Sequence, residues 1–165
     1  ILAHSPLADL VVVDINPKNL ELARQFGATE IIHGGTPAGT ARLRELEATP
    51  FDVVIEAAGA ERALKDAAVL VRRGGTIVMF AWHHQPRTLD CGLWHTKSIK
   101  LLNTAPSCVA DMSLNFMQRT VDLLERGVFR QEALVTHTFP FEKVQQALET
   151  ACARPDGYIK GAITF

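Results

Sequence analysis

Three places in the chain combine residue types that can do chemistry. An apolar, β-branched run, Leu10 to Val13, stops at a carboxylate, Asp14, and Ile15 follows. A second apolar run, "FDVVIE", leads into Ala57, Ala58 and Gly59. A third, "TIVM", ends in Phe80, Ala81 and Trp82, and a polar segment with His83, His84, Cys91 and His95 comes next. A carboxylate at a strand end can accept two hydrogen bonds from the vicinal hydroxyls of a ribose. Its charge also repels a 2′-phosphate, so it favours NAD over NADP. The same residue can instead start an Asx-type turn ahead of Asn16-Pro17. Small residues at a strand end let a flat ring lie close to the backbone, or suit tight helix–sheet packing. Zinc needs three or four ligands at spacings such as C-x2–4-C or H-x3–5-H. The set His83, His84, Cys91 and His95 has no such spacing, so no metal site is expected there.

These residues need elements to hold them. The sequence predicts a strand over Leu10–Val13, then a helix capped by Asn16 with Pro17 in its first turn and stopped by Gly27. Leu20, Ala23 and Phe26 recur at helical spacing on it. Glu30 to His33 reads as a strand, "GGTPAGT" as a loop and Ala41 to Ala48 as a helix. "FDVVIE" is the next strand. A helix over Glu61 to Val71 carries Leu64, Ala67, Ala68 and Val71 on one face, and "TIVMFAW" is a strand. Residues 83–97 read as irregular, and "SIKLLNTA" as a further strand. Asp111 caps a helix whose buried stripe is Leu114, Met117, Val121 and Leu124, ended by Gly127. "ALVTHTF", a helix from Pro140 with Phe141, Val144 and Leu148 on one face, and "YIKGAITF" close the chain. Short apolar strands alternating with helices predict an α/β fold, a doubly wound parallel sheet covered on both faces.

Composition narrows the class. The chain has 165 residues, 47% hydrophobic and 21% charged, enough for a real core. A net charge of −1 gives no field for nucleic acid or an anionic membrane surface. Lys and Arg are scattered, without a basic stripe. Cys91, Cys108 and Cys152 are three thiols with no CxxC pair, which fits reduced cysteines in the cytoplasm. No apolar run is long enough to span a membrane, and there is no secretory signal pattern.

Four stretches, "VVVDINPKNLELARQFGATEII", "FDVVIEAAGAERALKDAAVLVRRGGTIVMF", "ALVTHTFPFEKVQQALE" and "YIKGAITF", carry a family resemblance. In this order and spacing they resemble the C-terminal half of the medium-chain dehydrogenase/reductase superfamily, the zinc-containing alcohol and polyol dehydrogenases. The resemblance covers essentially the whole chain. It implies a Rossmann domain that binds NAD, here over 1–103, and a segment over 104–165 that returns to a GroES-like catalytic domain. It implies that Asp14 holds the adenosine ribose and that Ile15 lines the adenine slot. It implies that the turn Ala57-Ala58-Gly59 passes over the cofactor and that the backbone of Phe80, Ala81 and Trp82 meets the nicotinamide. Asn103 is then at the end of the last Rossmann strand, and Lys160 reaches the cofactor phosphates or is simply a solvated edge-strand lysine. The histidine-bearing loop after Trp82 would line the nicotinamide end or the substrate cleft, or pack on the catalytic domain.

The resemblance also sets what is expected to be missing. The G-x-G-x-x-G turn should lie roughly 20 residues before the acid. Only 13 residues precede Asp14, none of them glycine, and the first is Ile, not Met. The expectation is therefore a Rossmann sheet without its first strand and glycine loop. In the strand order 3-2-1-4-5-6 that strand is the central one. The strands ending in Asp14 and Glu56 would then each lack a neighbour. The zinc ligands of the family are not expected in this chain. The resemblance implies an NAD-dependent alcohol or polyol dehydrogenase in full-length form, homo-oligomeric and with zinc, and an isolated chain that is inactive. A zinc-free quinone or enoyl reductase of the same superfamily is the alternative, though such enzymes more often use NADPH. An S-adenosylmethionine-dependent methyltransferase is a second. It too places an acid at a strand end, but its sheet usually closes with an antiparallel hairpin, and none is legible after Trp82.

Overall fold

The computed structural model describes residue 2 and residues 7–105, 116–128 and 131–165. They form two compact units, one over 9–114 and one over 1–8 with 115–165.

The larger unit runs β1 (Val11–Asp14), α1 (Pro17–Gln25), β2 (Glu30–His33), α2 (Pro37–Leu46), β3 (Phe51–Glu56), α3 (Glu61–Leu70), β4 (Val71–Met79), α4 (Cys91–Lys97) and β5 (Lys100–Asn103). Every strand pairing is parallel. The sheet comes in two pieces, β1 with β2 and β3-β4-β5 in that order. Among the described residues β1 and β3 each keep one unpaired edge, as expected of the two strands that flank a central one. One core cluster spans both pieces. Leu43 and Leu46 of α2 pack with Ile32 of β2 and Leu70 of α3, against Val11, Phe51 and Val54. A second cluster holds Ala67, Ala68, Val71 and Ile77, backed by Leu93, Trp94 and Ile99.

Local chemistry explains the element ends. Asn16 caps α1 by accepting from the Lys18 N–H, with Pro17 opening the helix. Thr36 caps α2 in the same way, accepting from Gly39, and Pro37 sits at its first turn. The stretch "PAGT" is therefore helix, not loop. The pattern Thr-Pro ahead of it is a helix start, which the two glycines before it obscured. Residues 91–97 are also helical rather than irregular. Asp90 caps them by accepting from Leu93 N–H. Lys97 closes this helix against the end of α3, its ammonium donating to the carbonyls of Ala68, Val69 and Val71. Those carbonyls have no partner within the helix, and a cation suits the negative helix end.

The smaller unit contains α5 (Phe116–Glu125), β6 (Val135–Pro140), a 3₁₀ turn, α6 (Val144–Ala153) and β7 (Lys160–Thr164), with β6 and β7 parallel. Asp111 and Leu114 lie outside the described residues. The stripe predicted as buried on α5 is not, since Met117 and Val121 are exposed, and the shared face of Phe141, Val144 and Leu148 around α6 is exposed too. Helical periodicity marks a face, but only a packed neighbour buries it. The same holds for the sheet, expected to be covered on both faces. Val53 and Ile55 of β3 are exposed, as is every residue of β5. Among the described residues no helix is long and apolar enough to cross a membrane.

Candidate functional site

Asp14 is the last residue of β1, in register with His33 at the end of β2. Its Oδ1 accepts from the Asn16 N–H at 2.7 Å and its Oδ2 from the Asn19 side-chain amide at 3.1 Å. The Asx turn is thus real, and it does not consume the carboxylate. Each oxygen accepts one of the two bonds its lone pairs allow, so the group remains a pre-aimed acceptor. Ile15 beside it is 75% exposed. A Cβ built on Gly35 would come within 3.2 Å of His33 Cε1 and 3.7 Å of Ile15 Cγ2. Ile15, His33 and Gly35 therefore form one shelf next to Asp14. His33 Nδ1 accepts from the Gly35 N–H at 3.2 Å, which leaves Nε2 as the protonated nitrogen.

The second group gathers at the ends of β3 and β4. Ala57 and Ala58 are exposed, so they are not there for tight helix–sheet packing. Gly59 has φ +68°, and a Cβ there would sit 3.2 Å from the Trp82 carbonyl oxygen and 3.6 Å from Ala81 Cβ. The turn 57–59 and the strand end 80–82 thus lie against each other, and only glycine meets both the left-handed backbone and the close approach. Phe80 and Trp82 are 68% and 71% exposed. Asn103 ends β5 in register with Met79, and Thr104 Oγ1 donates to the Met79 carbonyl.

Sequence reasoning missed what joins these segments. Glu56 is 2% exposed, the one buried charged side chain among the described residues. Its Oε1 accepts from the N–H groups of Ala58 and Gly59, at 2.9 and 2.8 Å. Its Oε2 lies 2.8 Å from His83 Nε2. Its backbone carbonyl accepts from the N–H groups of Phe80 and Ala81. Arg87 completes the set, with Nε 3.3 Å from His83 Nδ1 and Nη2 donating to the Gly59 carbonyl at 3.0 Å. One signal was present: "VVIE", like "VVVD", is an apolar run ended by an acid. The roles of His83 and Arg87 leave no trace in local sequence. His83 is thus engaged with a carboxylate and a guanidinium, while His84 sits by the Trp82 ring. Lys160 is the exposed first residue of β7 in the smaller unit.

Among the described residues no three His, Cys, Asp or Glu side chains are grouped to hold a metal ion. The described residues therefore offer no donor set that fits zinc.

Comparison with known proteins places the chain in a family. A family profile described as zinc-binding dehydrogenase matches residues 2–122. The zinc-type alcohol dehydrogenase-like protein YdjJ of Escherichia coli K12 is 30% identical over 159 residues, which is 94% of this chain and 43% of that protein. D-xylulose reductase of Saccharomyces cerevisiae is 28% identical over 161 residues, 94% of this chain and 44% of its own length. An alcohol dehydrogenase of Escherichia coli CFT073, crystallised with NADH, shares the fold with a TM-score of 0.80 at 23% identity, over 99% of this chain and 46% of that one. The chain spans less than half the length of these relatives. With its profile match and relatives that align over nearly all of it, the chain belongs to the zinc-binding dehydrogenases, of which it corresponds to the C-terminal half.

Proposed function

We propose that this chain is the cofactor-binding half of an NAD-dependent dehydrogenase acting on an alcohol or polyol. The observation that carries this reading is Asp14, a carboxylate at a strand end, fixed by Asn16 and Asn19 yet still able to accept. It accepts from the ribose hydroxyls, and its charge disfavours a 2′-phosphate. The next residue is Ile15, so no arginine stands beside the acid to receive such a phosphate. Ile15 and His33 flank the adenine end, and the exposed turn 57–59 with Phe80, Ala81 and Trp82 walls the nicotinamide end. Asn103 closes the last strand. When bound, the nicotinamide supplies the hydride acceptor. This chain binds and orients it and keeps water off one face, and the metal and the proton path belong to the other half of the enzyme. The chain alone therefore does not turn over an alcohol.

Several further readings go with this one. The segments are a partial Rossmann domain over 1–103 and a returning segment over 104–165. The free thiols of Cys91 and Cys152 support a cytoplasmic protein. The exposed strand β5 supports a homo-oligomer of the full-length enzyme. The parallel pairing of every described strand disfavours the methyltransferase alternative.

Titration of ¹⁵N-labelled chain with NADH, NADPH and S-adenosylmethionine tests the reading. NADH should shift the amides of 14–16, 33–35 and 57–59, and NADPH should bind more weakly. Asp14→Asn should narrow that gap, because the repulsion toward the 2′-phosphate is lost. Equal or tighter NADPH binding sinks the NAD assignment, and shifts with S-adenosylmethionine alone sink the dehydrogenase reading.

A further inference from the structure

The buried carboxylate of Glu56 lies at the junction of two segments that no local sequence feature links. It accepts from Ala58 and Gly59 and faces His83. The proton positions follow from chemistry. Arginine has no acceptor, so His83 Nδ1 must accept from Arg87 Nε, at 3.3 Å. His83 Nε2 then carries the hydrogen and donates to Glu56 Oε2. The imidazole stands between an anion and a cation. Arg87 also returns to the Gly59 carbonyl. The Gly59 peptide is thus held from both sides, its N–H by Glu56 and its carbonyl by Arg87. Phe80 and Ala81 are tied to the Glu56 backbone carbonyl. Burying a carboxylate this deep is costly unless it is fully hydrogen-bonded, and here every bond it makes fixes one of the two exposed segments.

We propose that Glu56, His83 and Arg87 form a positioning clamp that presets the turn 57–59 against the strand end 80–82 for the nicotinamide half of the cofactor. The nicotinamide part of this rests on the cofactor reading above; the clamp itself does not. The three residues are positioning residues, since none needs to touch the reacting atoms. Preset backbone lowers the ordering cost of binding. The clamp acts at one end of the cofactor only, so its loss must show in ligands that carry nicotinamide and not in those that lack it.

Glu56→Gln is the sharp variant. Its amide N–H₂ must face either the His83 Nε2–H or the two backbone N–H groups, donor against donor in both settings. Arg87→Ala is the mild variant, which keeps the buried pair and removes the tie to the Gly59 carbonyl. Amide hydrogen exchange followed by NMR on the 165-residue chain reads the clamp directly. Glu56→Gln should speed exchange at Ala58 and Gly59 by about tenfold or more, and Arg87→Ala by about threefold, with Val54 and Ile77 within about twofold. NADH affinity should fall by about tenfold in Glu56→Gln, while ADP-ribose affinity stays within about twofold. Unchanged exchange at Ala58 and Gly59 in both variants overturns the clamp. An equal rise at Val54 and Ile77, or parallel loss of NADH and ADP-ribose, overturns a positioning role and leaves a general stabilising one. Failure of the unmutated chain to bind either ligand refutes the cofactor reading instead, and the exchange rates still decide the clamp.

Discussion

At the scale of single residues, two carboxylates do different work because their surroundings differ. Asp14 is fixed by one donor per oxygen and stays half-exposed, so it remains an acceptor for something else. Glu56 is buried and committed, so it organises backbone rather than ligand. Asn19 sets the aim of Asp14. Asn19→Ala should leave the fold intact and weaken NADH binding without removing the preference over NADPH, measured by the same titration. Gly39 is a residue of a different sort. A Cβ there would lie 2.0 Å from the His33 carbonyl oxygen, which is backbone and cannot swing aside. Gly39→Ala should therefore cost about 3 kcal/mol or more, at the upper end of overpacking effects, read from urea unfolding.

At the scale of elements, two side chains tie one element to another. Arg42 on α2 forks onto Glu30 on β2, with contacts of 2.7 and 3.1 Å. The guanidinium beside it holds the Glu30 carboxyl below the usual carboxylate range, chiefly through these hydrogen bonds. A carboxyl depressed in the folded state adds stability above its unfolded pKa, and that stability is lost as pH falls through the folded one. Wild type should thus be more stable than Glu30→Gln around pH 7, with the difference closing as the pH falls below the usual carboxylate range, in thermal melts across pH. Burial pushes the Lys97 ammonium pKa down, although three carbonyls hold the group. Lys97→Met leaves those carbonyls at the end of α3 without the cation. Its expected cost is about 1–3 kcal/mol, as for hydrogen bonds to a charged group. A cost near zero would show that water replaces the ammonium freely.

At the scale of the whole molecule, the two units differ in how much they bury. The larger one has two packed clusters, whereas in the smaller one Phe139 and Ala147 are the buried apolar side chains among the described residues. Hydrogen exchange should therefore release 131–165 at lower denaturant than β3 and β4, because opening free energy follows buried apolar contact. The sheet should also be one-sided in its energetics. Val53→Thr and Ile55→Thr on the exposed face should change stability within about 0.5 kcal/mol, whereas Ile77→Ala, fully buried, should cost about 2–5 kcal/mol.

The sequence by itself determined the order of strands and helices, because alternation of short β-branched runs with capped amphipathic stretches is local information. It also determined which strand ends carry Asp14, Ala57–Gly59 and Phe80–Trp82. It did not reveal that α2 begins at Pro37 or that residues 91–97 are helical, since glycines and mixed polar residues hid both caps. Which periodic faces are buried was likewise not legible. A stripe such as Met117 and Val121 records a capacity to pack, and packing needs a neighbour. Only the tertiary structure decided that Gly59 lies on the Trp82 carbonyl and that Glu56, His83 and Arg87 meet across 27 to 31 residues of chain. Such contacts are set by the parallel crossover that brings β4 beside β3, and no spacing rule within either segment encodes that geometry.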